Sequence, residues 1–116
     1  MTRLIPLSIH SAIEIALASA LMAAPFVFGF GPAGLVTAFV IGSLMMGLAI
    51  SASGEGRGGL PVMAHAAYDR GIAFGLVLAA GLLGLAGDAS ALLVLTAASL
   101  ALVALSVNTR YSAVRA

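Results

Sequence analysis

A short pattern of proline, histidine and acid occurs twice in this chain. P-x3-H-x3-[ED] runs from Pro6 to Glu14 and again from Pro61 to Asp69, 55 positions later. A fixed-period repeat indicates two copies of one supersecondary unit. We predict a single domain over residues 1–116, with one unit at about 6–52 and the other at about 61–107. The same 55-residue frame also pairs Gly29 with Gly84 and Ser51 with Ser106.

The composition sets the environment of these two units. Hydrophobic residues make up 62% of the chain and charged residues 8%, whereas about a quarter of a soluble domain is charged. A helix needs about 20 apolar residues to cross the hydrocarbon core of a membrane. Four segments satisfy this requirement, and we predict spanning helices at about 7–29, 33–52, 62–86 and 89–107. The predicted fold is an all-α membrane protein of two tandem helical hairpins.

Arginines predict the orientation of the chain in the membrane. Arg3, Arg57, Arg110 and Arg115 lie at the two termini or in the central connection. Positive residues are enriched in cytoplasmic loops, so we expect both termini and the central connection to be cytoplasmic. Because each unit contributes two helices, both units have the same topology and are related by a pseudo-two-fold axis along the membrane normal.

Part of the first unit resembles a known family. His10 to Glu14, followed by Ala24-Pro25-Phe26, is similar to the SPW-repeat membrane proteins, in which Ser-Pro-Trp-like residues stand late in the first helix of each repeat. The second unit has Ala79-Ala80-Gly81 at that place and departs from the signature. Its Pro61-Val62-Met63-Ala64-His65 and Asp69 also look like the family's second repeat, so the resemblance covers most of the chain. The resemblance implies a small bacterial inner-membrane protein and brings no catalytic residue with it.

The duplicated polar residues form the candidate site. His10 and Glu14 are four residues apart, as are His65 and Asp69, so each pair shares a helix face. If the first and third helices pack side by side, the four residues converge. Imidazole and carboxylate suit a divalent transition metal such as Zn, Fe, Mn or Ni, and they also suit a proton relay. In the structural alternative, the histidines lie at the lipid headgroups, each carboxylate bonds its own histidine or meets Arg70, and the pattern serves only packing and register.

Arg70 is the other charge predicted inside a spanning segment. Its counterpart in the first unit is Ile15. A charge in lipid is unfavourable unless it is paired or reaches the interface. We therefore predict that Arg70 pairs with Glu14 across the helix interface or contacts anionic headgroups.

No enzymatic motif accompanies these residues. The chain contains neither H-E-x-x-H nor a nucleophile elbow, and it has no cysteine. We therefore predict a non-catalytic protein in the lipid bilayer that acts as a structural or accessory component of a homo-oligomer or a larger membrane complex, without nucleic acid. The alternatives are an ion, proton or metal-binding protein that uses the duplicated pair and, less well matched, a small multidrug exporter with Glu14 as its membrane carboxylate. We predict no cofactor for the structural role, and the metal-binding alternative implies a divalent metal.

Overall fold

A computed structural model describes residues 4–52 and 61–111. Each of its four helices is long and apolar enough to cross a membrane, and each predicted boundary agrees with the structure to within one residue. The chain is therefore a multi-pass helical membrane protein. The elements are β1 (Ile5–Pro6), α1 (Leu7–Phe28), α2 (Pro32–Ala52), α3 (Val62–Leu85), α4 (Ala89–Val107) and β2 (Thr109–Arg110).

Local sequence signals account for the helix ends. Pro6 and Pro61 precede the first residues of α1 and α3, where a missing backbone N–H does not interrupt the helix. Gly29 ends α1 with φ 70°, a left-handed conformation that glycine adopts without a steric penalty. The Asp88 carboxylate accepts the Ala91 N–H at the start of α4 and also the Gly31 N–H of the other hairpin. Asp88 therefore joins the two hairpin loops.

The four helices pack as two hairpins, α1 with α2 and α3 with α4, which confirms the predicted fold class. Helix α1 also packs on α4, and α2 packs on α3. Helices α1 and α3 therefore stand diagonally across the bundle, and the prediction that they lie side by side is wrong. Short loops make the two helices of each hairpin neighbours, so the remaining place beside α1 is taken by α4.

The 55-residue spacing does not hold for both helices of the two units. Helices α1 and α3 begin 55 positions apart, but α2 and α4 begin 57 apart, because α3 has 24 residues and α1 has 22. The buried positions of α2 and α4 follow the 57-residue spacing. Ala38 and Leu95 are both fully buried, and so are Met45 and Leu102. The predicted pairing of Gly29 with Gly84 and of Ser51 with Ser106 is therefore wrong.

The two short strands bring the C-terminal segment back to the start of α1. They pair in parallel, with Ile5 opposite Thr109 and Pro6 opposite Arg110. The Ile5 N–H also donates to the Asn108 carbonyl at 2.9 Å. We call this end of the bundle, where Ile5 and Tyr111 lie, the terminal end. It places residues after α4 directly over the polar residues of α1.

Candidate metal centre

The four residues of the duplicated pattern meet at the centre of the bundle. His10 and Glu14 share one face of α1, and His65 and Asp69 share the matching face of α3. None of the four has any exposed surface. Because α1 and α3 are diagonal, both faces point toward the pseudo-two-fold axis, and the side chains meet there although the helix backbones do not pack against each other.

Nitrogen and oxygen atoms alternate around this cluster. His10 Nε2 lies 3.2 Å from Glu14 Oε1 and 2.9 Å from Asp69 Oδ2. His65 Nε2 lies 3.0 Å from the same Glu14 oxygen and 3.2 Å from the same Asp69 oxygen. Each histidine therefore contacts the carboxylates of both units, and the expectation that a histidine in a purely structural cluster contacts only its own helix partner is wrong.

The four residues are close enough together to hold a metal ion. One ligand atom from each of the four residues lies within 4.8 Å of all the others. Zinc–nitrogen and zinc–oxygen bonds of about 2.0–2.2 Å place neighbouring ligands of a tetrahedral site about 3.3 Å apart. The four N···O separations are a few tenths of an ångström shorter. A small outward movement of the side chains would accommodate an ion at the centre.

Thr109 determines the tautomer of His10, and therefore which ring nitrogen carries the proton. The Thr109 hydroxyl donates to the Leu105 carbonyl at 2.6 Å, so its oxygen accepts from His10 Nδ1 at 2.7 Å. His10 Nδ1 therefore carries a proton. Without a second proton, Nε2 directs a lone pair toward two carboxylate oxygens, which is unfavourable unless a cation lies between them.

Three further polar atoms of the cluster have no hydrogen-bond partner. They are Glu14 Oε2, Asp69 Oδ1 and His65 Nδ1, all buried within the described part of the chain. An unpartnered buried polar atom costs free energy, and native structures pair nearly all of them with protein, water or an ion. The unpartnered oxygens of Glu14 and Asp69 could serve as additional metal ligands, because each carboxylate has a second oxygen to offer a bound cation.

Charge balance requires positive charge beside the two carboxylates, from protons or from a bound cation. Two carboxylates in an apolar bundle need compensation, because an isolated charge is strongly unfavourable at low dielectric. Two protons on the imidazoles or one divalent ion would supply it. The alternation of nitrogen and oxygen places either form of positive charge equally close to both carboxylates.

Tyr111 lies next to the cluster, outside the spanning helices. Its hydroxyl donates to Asp69 Oδ2 at 2.6 Å and lies 3.4 Å from His10 Nε2. Burial, followed by the hydrogen bond to Asp69, raises the pKa of Tyr111 above its ordinary value, so the phenol remains a donor. Sequence reasoning missed Tyr111 and Thr109, because neither belongs to the repeat and both follow the last helix.

Arg70 does not take part in the cluster. Its side chain is exposed, and no salt bridge among residues 4–52 and 61–111 includes it. Glu14 is instead surrounded by His10 and His65. The predicted Arg70–Glu14 pair is therefore wrong, since the next position along α3 after buried Asp69 turns away from the bundle axis.

Comparison with known proteins gives no match: no family model, no curated protein and no solved structure is similar to this chain.

Proposed function

We propose that this protein binds a divalent transition metal ion at the centre of its four-helix membrane bundle. The observation that carries the proposal is the alternating set of His10 Nε2, Glu14 Oε1, His65 Nε2 and Asp69 Oδ2, with adjacent atoms 2.9–3.2 Å apart. Imidazole nitrogen and carboxylate oxygen together suit Zn, Fe, Mn and Ni. Bundle cores commonly hold metals between facing helices in this way.

Contacts around the four proposed ligands support the same function. The Thr109 oxygen fixes His10 with its Nε2 toward the centre, an arrangement that metal-binding histidines commonly use. The unpartnered oxygens of Glu14 and Asp69 supply further donors for ions that take more than four ligands.

Proton transfer is the second candidate. The N···O separations also fit N–H···O hydrogen bonds, and Tyr111 extends the cluster to Ser106 through a 3.2 Å contact between their hydroxyl groups. A chain of such groups can relay protons. The two candidates differ in whether a metal ion binds at all.

The deciding experiment is metal binding to the detergent-purified protein. Elemental analysis of the isolated protein, and titration of chelator-treated protein with Zn²⁺, Mn²⁺ and Co²⁺, should give one ion per chain. His65→Ala and Asp69→Asn should each weaken binding by about a hundredfold or more. Ser99→Ala is the matched control, because Ser99 is buried in the same bundle but donates to the Ala73 carbonyl. If the wild type binds none of these ions, or binds them no better than His65→Ala does, metal binding is refuted and the proton relay becomes the leading function.

We also propose the setting of this activity. The arginine distribution supports cytoplasmic termini, and the resemblance to SPW-repeat proteins supports a bacterial inner membrane. The protein would act there without catalysis, as an accessory component that self-associates or joins a larger membrane complex. The outward position of Gly71 and Gly75, where an added Cβ would meet no atom within 4 Å, is compatible with a neighbouring helix. Native mass measurement of the detergent-purified protein tests whether it self-associates or belongs to a larger complex.

The multidrug-exporter alternative receives no support from the position of Glu14. A carboxylate that captures organic cations needs an accessible cavity, and such ligands are commonly held against aromatic rings. Glu14 is fully buried and enclosed by two histidines.

A further inference from the structure

The four proposed ligands have no exposed surface, so an ion needs a path through the bundle to reach them. Three apolar grooves on the described surface are lined by none of the four. A fourth cavity of about 280 Å³ lies between α3 and α4 at the terminal end. Asp69 belongs both to its lining and to the cluster, and Arg70, Ser106 and Tyr111 add polar groups to the same wall.

Tyr111 lines this cavity beside Asp69 and also contacts the cluster. Its hydroxyl bonds Asp69 Oδ2 at 2.6 Å and Ser106 Oγ at 3.2 Å. Its ring centroid lies 5.2 Å from that of His10 and 6.2 Å from that of His65. The phenol therefore covers the two imidazoles on the side from which the cavity reaches Asp69.

The attachment of Tyr111 allows it to move without disturbing the bundle. It follows β2, a two-residue strand held by its pairing with β1 and by the His10–Thr109 contact. Tyr111 itself belongs to no helix. Outward motion of the side chain requires the loss of three hydroxyl contacts, those to Asp69, Ser106 and His10.

We propose that Tyr111 gates the access of metal ions to the cluster from the cavity between α3 and α4. In the closed position its hydroxyl is hydrogen bonded to Asp69 and its ring covers the two histidines. In the open position the ion passes through the cavity and meets Asp69 first. This inference rests on the proposed metal-binding function and adds the route and the residue that controls exchange.

The test measures exchange rates of the Co²⁺-loaded protein. Release into excess chelator and loading by free Co²⁺ are followed by the optical absorption of the bound ion. Tyr111→Ala should accelerate both steps by about tenfold or more, because the ring no longer covers the site. Tyr111→Phe keeps the ring but loses the hydrogen bond to Asp69, so its rates should lie between those of Tyr111→Ala and the wild type. Tyr68→Ala is the matched control, because Tyr68 precedes Asp69 on α3 and is 59% exposed.

A second measurement needs no change at Tyr111. The chain contains two tyrosines and no tryptophan, so Tyr111 is the sole tyrosine of a Tyr68→Phe variant. Its fluorescence should change with the same time constant as release of Zn²⁺, a d10 ion that does not itself quench tyrosine. If the Tyr111→Ala protein binds Co²⁺ but exchanges it at the wild-type rate, or if the fluorescence does not respond, the gate is refuted and metal binding stands. If the wild type binds no metal, the proposed function itself fails.

Discussion

At the scale of residues, the two histidines of the repeat have different environments. His10 Nδ1 is hydrogen bonded to Thr109, whereas His65 Nδ1 is buried without a partner among the described residues. The difference arises because β2 follows α4 and reaches the first unit. The duplication placed equivalent histidines in both units, but the C-terminal segment provides a hydrogen-bond partner for the Nδ1 atom of His10 alone.

Replacing Thr109 with valine should weaken metal binding by about 10- to 100-fold, because the hydrogen bond that orients a metal-binding histidine is lost. Calorimetric titration with Zn²⁺ would measure the change. Thr37→Val is the control, since the Thr37 hydroxyl also donates to a carbonyl four residues earlier, at Ala33, but far from the cluster. Equal affinities for Thr109→Val and the wild type would show that Thr109 has no supporting role.

Metal affinity should rise with pH. Each histidine must present an unprotonated Nε2 to the ion, so protons compete with the metal. Below the pH at which both nitrogens are free, affinity should fall by about 10- to 100-fold for each unit of pH, corresponding to one or two protons released per ion. Titrations in buffers of different ionisation enthalpy would count these protons. A pH-independent affinity would argue against coordination by the imidazoles.

At the scale of helices, small residues have two different roles. The sequence predicts close helix contacts along Gly34, Ala38 and Gly42 of α2 and along a similar stripe on α3. The structure places Gly42 against α1, where an added Cβ would lie 2.6 Å from Met22 Cγ and 3.1 Å from the Ala18 carbonyl oxygen. On α3, Gly75 has open space. Among the described residues, Gly42 of α2 is therefore needed for close packing and Gly75 of α3 is not.

Gly42→Ala should destabilise the bundle by about 1–3 kcal/mol, because the added methyl group overpacks the α1–α2 contact. Gly75→Ala is the matched control and should be neutral within the monomer, since no atom obstructs the methyl group. Unfolding in mixed detergent, followed by circular dichroism, would compare them. Similar losses of stability in both variants would mean that helix packing does not distinguish the two glycines.

At the scale of the whole molecule, the bundle hides its polar groups and exposes its apolar ones. Large hydrophobic side chains such as Phe26, Phe74 and Leu100 are more than half exposed, as expected for surfaces in contact with lipid. The cluster lies on the pseudo-two-fold axis, nearer the terminal end. The side of the membrane that this end faces therefore determines which compartment could supply an ion.

Reporter fusions should place that end in the cytoplasm. A reporter after Ala116 should be active on the cytoplasmic side and one inserted at Asp88 on the opposite side, because the arginines lie at the termini and in the central connection. Both fusions in one compartment would contradict the four-span topology. A periplasmic Ala116 together with a cytoplasmic Asp88 would retain four spans but reverse the proposed orientation.

The sequence by itself determined the helices and the identity of the four site residues. Apolar length defined the spans, proline and Asp88 marked their starts, and the duplicated P-x3-H-x3-[ED] pattern placed His10 with Glu14 and His65 with Asp69, because residues four apart share a helix face. These features depend on local spacing, which can be read along the chain.

Only the tertiary structure decided how these pieces meet. The diagonal arrangement of α1 and α3, the two-residue shift between α2 and α4, and the exposure of Arg70 depend on packing between segments distant in sequence. Thr109 and Tyr111 reach the cluster only because β2 pairs with β1, about a hundred residues away along the chain. No periodicity reports such a contact, since its position follows from how the closed bundle directs the chain after its last helix.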